Sequence, residues 1–140
     1  MIVILVRDVM TRVVVTIGLE TSCDKARRLM DEHRIRHLPV VDGGRLVGMV
    51  SDRDVRSVAL HSPGTLADKI MTPDPVTITP ETRIEHAARL MLERRFGSLP
   101  VTDGHALIGI VTYTDLLRAF VQVIETATLE RITVDFSGGT

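Results

Sequence analysis

The sequence predicts an α+β fold in which two β-α-β-β-α units pack sheet to sheet about a pseudo-twofold axis. The chain repeats itself, since residues 10–54 align without a gap on residues 71–115 and 22 of those 45 positions are identical. Each copy contains β-branched runs, a turn with Asp-Gly and two amphipathic stretches. A three-stranded sheet cannot bury both faces alone, so each copy is expected to cover the other.

Each copy is predicted to begin with a strand that leads into a helix. Residues 13–17 read Val-Val-Val-Thr-Ile, a β-branched run typical of a strand. Thr21 is predicted to cap the next helix, and its counterpart Thr82 forms a capping-box pattern with Glu85. Small and apolar residues then recur at helical spacing on one face of both predicted helices, while charged residues occupy the opposite face.

The second half of each copy is predicted to be a hairpin followed by a helix. Residues 38–41 and 45–50 are apolar runs on either side of Asp42-Gly43, which favours a β-hairpin. Ser51 then opens a helix that runs to about Leu60. The preceding helical crossover makes the first two strands parallel and leaves the hairpin antiparallel.

These elements divide the chain into two predicted units. The first covers residues 6–60 and the second covers residues 66–125, with short lead-in helices at 6–10 and 66–71. Residues 1–5 form an N-terminal arm that is too short to span a bilayer and has no signal-peptide pattern. Residues 126–140 form a C-terminal tail, in which residues 129–136 have the composition of a strand.

Composition favours a globular protein of a reducing compartment. The chain is 44% hydrophobic and 25% charged, and its formal net charge of −1 argues against a dedicated nucleic-acid binder despite a cluster of arginines at 27, 28, 34 and 36. Cys23 is the only cysteine, which excludes an internal disulfide and favours the cytoplasm. No phosphate-binding P-loop, dinucleotide motif or zinc pattern occurs, and we therefore predict that the protein is not an enzyme and needs no metal.

One seven-residue motif closes both copies. Residues 48–54 and 109–115 share the pattern Gly, two apolar residues, Ser or Thr, two variable residues and Asp. Ser51 and Thr112 lie at predicted helix N-termini, where free backbone N–H groups attract phosphate. Asp54 and Asp115 lie one turn further on, where a carboxylate can accept both ribose hydroxyls of a nucleotide. The alternative interpretation is that both pairs are simply helix caps.

Taken together, these motifs strongly resemble a tandem pair of CBS (cystathionine beta-synthase) domains, also called a Bateman module. The resemblance rests on the Met-Thr lead-in, the Val-Thr-Ile strand, the Leu-Pro-Val hairpin and the closing motif, and it covers residues 6–121. It implies a regulatory module that binds adenine nucleotides or adenosyl compounds in clefts between its two units, pairs into a homodimer and modulates a partner protein. In that pattern Ser or Thr faces the phosphate and Asp faces the ribose.

The remaining ligand contacts are expected on the entry strands and around the hairpins. The adenine ring is expected beside Thr16, Ile17, Thr77, Ile78, Met49 and Ile110, for which ordinary core packing is the competing interpretation. Arg36, His37 and Arg53 occur only in the first copy, so the Ser51/Asp54 site is expected to be the richer in phosphate contacts. The Thr112/Asp115 site is expected to be weaker, to take a less charged ligand or to stay empty. A solvated surface cluster is the competing interpretation of the basic residues.

Two classes of function therefore compete. The first is a sensor of AMP, ADP, ATP, NAD or S-adenosylmethionine that acts as a homodimer on another protein. The second is a ligand-free dimerisation scaffold. Nucleic-acid binding through the arginine cluster is disfavoured by the near-neutral charge and the few aromatic residues, and no membrane association is expected.

Overall fold

The elements follow one another twice, as the repeat predicts. The computed structural model describes residues 2–127 and 133–138. In chain order the elements are α1 (Val6–Val9), α2 (Cys23–His33), β1 (His37–Asp42), β2 (Arg45–Ser51), α3 (Asp52–Ala59), α4 (Ala67–Ile70), β3 (Thr72–Pro73), α5 (Ile84–Arg94), β4 (Ser98–Asp103), β5 (Ala106–Thr112) and α6 (Tyr113–Thr126). The α+β fold class is confirmed.

The two predicted hairpins form with the same register. β1 pairs antiparallel with β2, β4 pairs antiparallel with β5, and both ladders shift register at the equivalent step, after Val40 and after Val101. Gly43 and Gly44 turn the first hairpin with positive φ angles of 56° and 81°, a conformation that residues with a Cβ adopt only with strain. β2 and β5 meet at the pair Arg45 and Ala106, which links the hairpins in the order β1-β2-β5-β4.

The predicted strand over residues 13–17 is wrong except at its last residue. Ile17 makes an isolated parallel bridge to Val40, and Ile78 makes the equivalent bridge to Val101, so the predicted parallel direction holds at these two points. Val13, by contrast, is 90% exposed. β-Propensity measures how well a side chain packs on a sheet surface, and only Ile17 of this run reaches the edge of β1.

The predicted caps of α2 and α5 are also wrong. Ser22 caps α2 by accepting a hydrogen bond from the Lys25 N–H at 3.2 Å, and α5 begins after Arg83 without a side-chain cap. The hydroxyls of Thr21 and Thr82 instead accept hydrogen bonds from the backbone N–H groups three residues earlier, at 3.0 and 3.2 Å. These two threonines therefore close the turns that precede the helices.

Each unit has its own aliphatic core, and the lead-in segments are exchanged between the two cores. Val6 and Met10 belong to the core of the second unit, together with Leu99 and Val111. Ala67 belongs to the core of the first unit. The exchange is symmetrical, because Val6 donates its N–H to Thr82 O at 2.8 Å and Ala67 donates its N–H to Thr21 O at 2.8 Å. The lead-in segment of each sequence repeat therefore packs in the core of the other unit.

The glycines of the recurring motif receive these exchanged segments. A Cβ on Gly109 would lie 2.7 Å from Met10 Sδ and 3.1 Å from the carbonyl oxygen of Thr11, and a Cβ on Gly48 would collide with Met71. The absence of a side chain at these glycines allows another segment to approach closely. This approach is made by the methionine of the lead-in that belongs to the other repeat.

The C-terminal segment contributes little to the described fold. Residues 133–136 have no regular secondary structure, and the rest of the strand expected over 129–136 lies outside the described residues. Among the helices that the structure describes, none has the length and apolar character needed to cross a membrane.

Candidate functional site

Two clefts lie at the junction of the units, and each takes residues from both. The first cleft, with a volume of about 630 Å³, contains Ser51 and Asp54 from the first unit and Arg95, Gly97 and Ser98 from the second. The second cleft, with a volume of about 480 Å³, contains Thr112 and Asp115 from the second unit and residues 34–37 from the first. Both volumes suit a ligand of nucleoside or nucleotide size.

A capping box starts the helix at each cleft. Asp54 Oδ2 accepts hydrogen bonds from the Ser51 N–H at 2.8 Å and the Ser51 hydroxyl at 3.0 Å, and the Asp54 N–H donates to Ser51 Oγ at 3.3 Å. Thr112 and Asp115 repeat all three bonds at 2.9, 3.2 and 3.3 Å. The capping interpretation is therefore correct for both pairs. The capping bonds use only Oδ2 of each aspartate, so Oδ1 is not engaged by the cap.

The second oxygen distinguishes the two clefts. Asp115 is 4% exposed, and its Oδ1 accepts hydrogen bonds from Thr11 Oγ1 at 3.1 Å and from Arg118 Nη1 at 3.4 Å. Asp54 is half-buried, and no donor among the described residues bonds its Oδ1. Thr72, the counterpart of Thr11, lines the first cleft without reaching Asp54. The first cleft thus offers an open carboxylate oxygen, whereas the second holds its carboxylate in a closed network.

The clefts share a wall made by four residues. Arg36, His37, Gly97 and Tyr113 line both of them. The His37 ring fills the space that a side chain at position 97 would need, because a Cβ there would lie 2.7 Å from both Cε1 and Nε2. Burial lowers the pKa of His37 below its usual value, as does Arg36, while Asp52 and Asp54 oppose the shift. His37 is therefore neutral at pH 7.

The two clefts differ in the charges that line them. Three arginines (Arg36, Arg53 and Arg95) and three aspartates (Asp52, Asp54 and Asp74) line the first cleft, and Asp52 also pairs with Arg56 at 3.1 Å, which leaves at most one positive charge in excess. Three arginines (Arg34, Arg36 and Arg118) and one aspartate (Asp115) line the second, which leaves two positive charges in excess. The sequence assigned Arg36 and His37 to the first site alone, whereas the fold places them between the two clefts, and the expected difference in phosphate contacts stays a prediction.

The candidate adenine contacts separate into two groups. Met49 lines the first cleft and Ile110 lines the second. Ile17 and Ile78 lie in the two cores, at 4% and 5% exposure, and line neither cleft. Thr16 and Thr77 are exposed and also line neither. The apolar walls come instead from the preceding residues, which are Pro75 and Val76 in the first cleft and residues 13–15 in the second.

The comparison with known protein families agrees with this architecture. The family model of the CBS domain matches residues 6–61 and 67–122. The chain belongs to the CBS domain family. It is a tandem CBS pair, since both matches fall within the one chain and each covers one of the two repeats.

Among curated proteins, the pair matches relatives of different lengths. A CBS domain-containing protein of Dictyostelium discoideum is 36% identical over 138 residues, which cover 87% of this chain and 94% of that relative. The inosine-5'-monophosphate dehydrogenase of Korarchaeum cryptofilum is 42% identical over 106 residues, which cover 75% of this chain. The match spans only 22% of the length of that dehydrogenase.

Two solved structures share the CBS-pair fold. The structure of CBSX2 in complex with AMP superposes with a TM-score of 0.80 at 36% identity, over 86% of this chain and 98% of that one. The CBS pair of protein MJ0100, in complex with 5'-methylthioadenosine and S-adenosyl-L-methionine, superposes with a TM-score of 0.79 at 30% identity, again over 86% and 98%.

Several lining residues of the CBS pair were not predicted from the sequence. Ser98 is 7% exposed, and its hydroxyl is the one buried side-chain polar atom of the described residues that has no hydrogen-bond partner. Arg34 and Arg95 end α2 and α5 with positive φ angles of 54° and 57°, and each lines the cleft whose capping box belongs to the other unit. A positive φ at an arginine has no sequence signature, and Ser98 occupies the position where the first copy has His37. No group of residues suited to a metal ion occurs in the described part of the chain.

Proposed function

We propose that this CBS pair is a regulatory module that binds an adenine nucleotide or a related adenosyl compound in its two clefts. The observation that carries the proposal is Asp54 Oδ1, a carboxylate oxygen in the first cleft that no described donor bonds, together with the buried Ser98 hydroxyl nearby, which also lacks a partner. A buried hydroxyl without a partner costs free energy, and a polar ligand removes that cost. The ligands bound by CBSX2 and MJ0100, which are AMP, 5'-methylthioadenosine and S-adenosyl-L-methionine, support an adenosyl group as the common element.

The chemistry of the first cleft fits the parts of a nucleoside. Asp54 Oδ1 is an acceptor for ribose hydroxyls and Ser98 Oγ is a donor or acceptor within the same cavity. Met49 and Val76 supply apolar surface for a flat base. An anionic group is favoured in the second cleft, where Thr112 stands at the N-terminus of α6 and Arg34, Arg36 and Arg118 outnumber the single aspartate. The proposed ligand is AMP, ADP, ATP, NAD or S-adenosylmethionine, with no catalytic step and no required cofactor.

A thermal-shift series with these five compounds tests the proposal. A ligand at one hundred times its dissociation constant stabilises the native state by about 2.7 kcal/mol, so a binding compound raises the unfolding temperature in proportion to the logarithm of its concentration. The double variant Asp54→Ala/Arg34→Gln, which alters both clefts, should abolish most of the shift, while Glu85→Ala, which removes an exposed carboxylate outside both clefts, should leave it unchanged. No shift with any of the five would favour the ligand-free scaffold, whose supporting observation is the complete capping box at both sites.

The proposal extends to a homodimer that acts on a partner protein. The supporting feature is the outer face of α6, where Leu117, Phe120, Val121 and Ile124 are 50–65% exposed at spacings of three, four and seven residues. A contiguous apolar stripe of this kind is stabilised by covering it, and a second copy brings an identical stripe. The regulated protein is a further partner of unspecified identity. A reducing, cytoplasmic setting is supported by the single cysteine, which is buried as a free thiol.

A further inference from the structure

The two clefts cannot take charged ligands independently, because they share their cationic wall. Arg36 and His37 line both cavities, and the side-chain-free Gly97 lies against the His37 ring between them. With His37 neutral, Arg36 is the one positive charge common to both sites. A phosphate in one cleft that recruits its guanidinium removes that charge from the other cleft.

The consequence of that removal differs between the clefts. Without Arg36, the first cleft retains Arg53 and Arg95 against three aspartates, of which Asp52 pairs with Arg56 at 3.1 Å, so no excess positive charge remains. The second cleft retains Arg34 and Arg118 against Asp115 and stays net positive. Arg36 is therefore more useful to an anion in the second cleft, where no unpaired acid opposes it.

The hydrogen-bonding groups suited to the uncharged part of a ligand show the opposite preference. Asp54 Oδ1 lies in the first cleft and is bonded by no described donor, and the unpartnered Ser98 hydroxyl is buried beside that cleft. In the second cleft the carboxylate of Asp115 is already bonded by Thr11, Thr112 and Arg118. A ligand of the second cleft must therefore be held mainly through its phosphate, and a ligand of the first mainly through its sugar and base.

We propose that the CBS pair takes two different adenosyl ligands together: a phosphate-bearing nucleotide in the second cleft and a phosphate-free adenosyl compound in the first. This inference rests on the proposed function and assigns a ligand class to each site. Two phosphate-bearing nucleotides compete for Arg36 and bind with negative cooperativity, whereas the unlike pair does not compete. The module then reports the ratio of two ligand classes, because each class occupies its own cleft.

Calorimetric titration of the full chain with AMP and adenosine tests the assignment. We expect one AMP to bind tightly and a second to bind at least about tenfold more weakly, a size typical of coupled sites. Adenosine should bind, one per chain, to protein that already holds one AMP. Its dissociation constant there should stay within about twofold of the value for free protein, because the coupling factor of two non-interacting sites is one.

Four variants assign the sites. Arg34→Gln should weaken the tight AMP and spare adenosine, whereas Asp54→Asn should abolish adenosine binding and spare the tight AMP. Arg36→Gln should bring the two AMP affinities together by weakening the tight one. Arg89→Gln, which removes an arginine outside both clefts, is the control and should change nothing. Circular dichroism and the unfolding temperature establish that each variant is folded.

The outcomes separate this inference from the proposed function. Two AMP molecules bound with equal affinity, or loss of the tight AMP in Asp54→Asn but not in Arg34→Gln, would overturn the assignment and leave nucleotide binding intact. If neither AMP nor adenosine binds, and the compounds of the thermal-shift series give no shift, the proposed function fails and this inference fails with it.

Discussion

Ser98 combines burial, cleft position and an unused hydrogen-bonding group in one side chain. Its hydroxyl is buried without a partner in the described structure, a condition that costs about 1–3 kcal/mol. Ser98→Ala should therefore raise the free energy of unfolding of the ligand-free protein by about 1 kcal/mol and weaken adenosine binding by about tenfold. Urea denaturation and calorimetry measure the two effects.

The matched control for this prediction is Ser57→Ala. Ser57 Oγ donates to the backbone oxygen of Asp54 on the exposed side of α3, at 2.9 Å. Its removal should change stability by less than about 0.5 kcal/mol and leave adenosine affinity alone. Lower stability of Ser98→Ala would reveal a hydrogen bond that its hydroxyl already makes in the free protein.

His37 should make the protein less stable in mild acid. Burial against Gly97 lowers its pKa, Arg36 adds to the shift, and Asp52 and Asp54 only partly offset it. The unfolded chain therefore binds the proton first. The stability contribution is complete above the unfolded pKa of about 6.5 and is lost as pH falls from there through the lower folded pKa. His37→Asn should remove this loss.

Urea denaturation at pH 8 and pH 5.5 checks the His37 prediction. His33→Asn, on the exposed last turn of α2, serves as the matched control and should keep the wild-type pH dependence. If His37→Asn loses as much stability between the two pH values as the wild type, another group is responsible for the acid sensitivity.

The aspartates of the two capping boxes make different hydrogen bonds. Replacing each aspartate with alanine should therefore lower the stability of the protein by a different amount. Asp115→Ala removes the bonds to Thr112 and also the bond to Thr11, which ties the exchanged N-terminal segment to α6. We expect it to cost about 2–3 kcal/mol, because part-buried donors in two separate segments lose their partner. Asp54→Ala removes only the half-buried cap of α3 and should cost about 1 kcal/mol. Equal losses by urea denaturation would contradict the difference in networks.

The exchanged lead-ins predict that a mutation in one repeat weakens the other unit. Met10→Ala should cost about 2 kcal/mol and speed amide hydrogen exchange in β4 and β5, since Met10 packs in the second core beside Gly109. Met71→Ala is the mirror variant and should act on β1 and β2, because Met71 packs on the first core beside Gly48. Faster amide hydrogen exchange in the hairpin of the mutated repeat itself would contradict the packing of each lead-in on the other unit.

At the scale of the whole molecule, the exposed stripe on α6 predicts a dimer. Phe120→Glu places a charge in the middle of this stripe, where burial of an unpaired carboxylate is unfavourable, so the variant should be monomeric. Leu92→Glu changes a residue that is 74% exposed on α5 and should leave the mass unchanged. Light scattering after gel filtration gives both masses, and a wild-type monomer at micromolar concentration would overturn the prediction.

Local spacing and turn chemistry are visible in the sequence. They predict the repeat, the aliphatic cores, both hairpins and the helix starts at Ser51 and Thr112. The strand at residues 13–17 and the caps at Thr21 and Thr82 were mispredicted, since tertiary neighbours override propensity there. Contacts between residues far apart in the sequence depend on how the two units pack together, which local patterns do not encode. Only the tertiary structure places Arg36 and His37 between two clefts, closes Asp115 with Thr11 from the exchanged lead-in, and leaves Asp54 open.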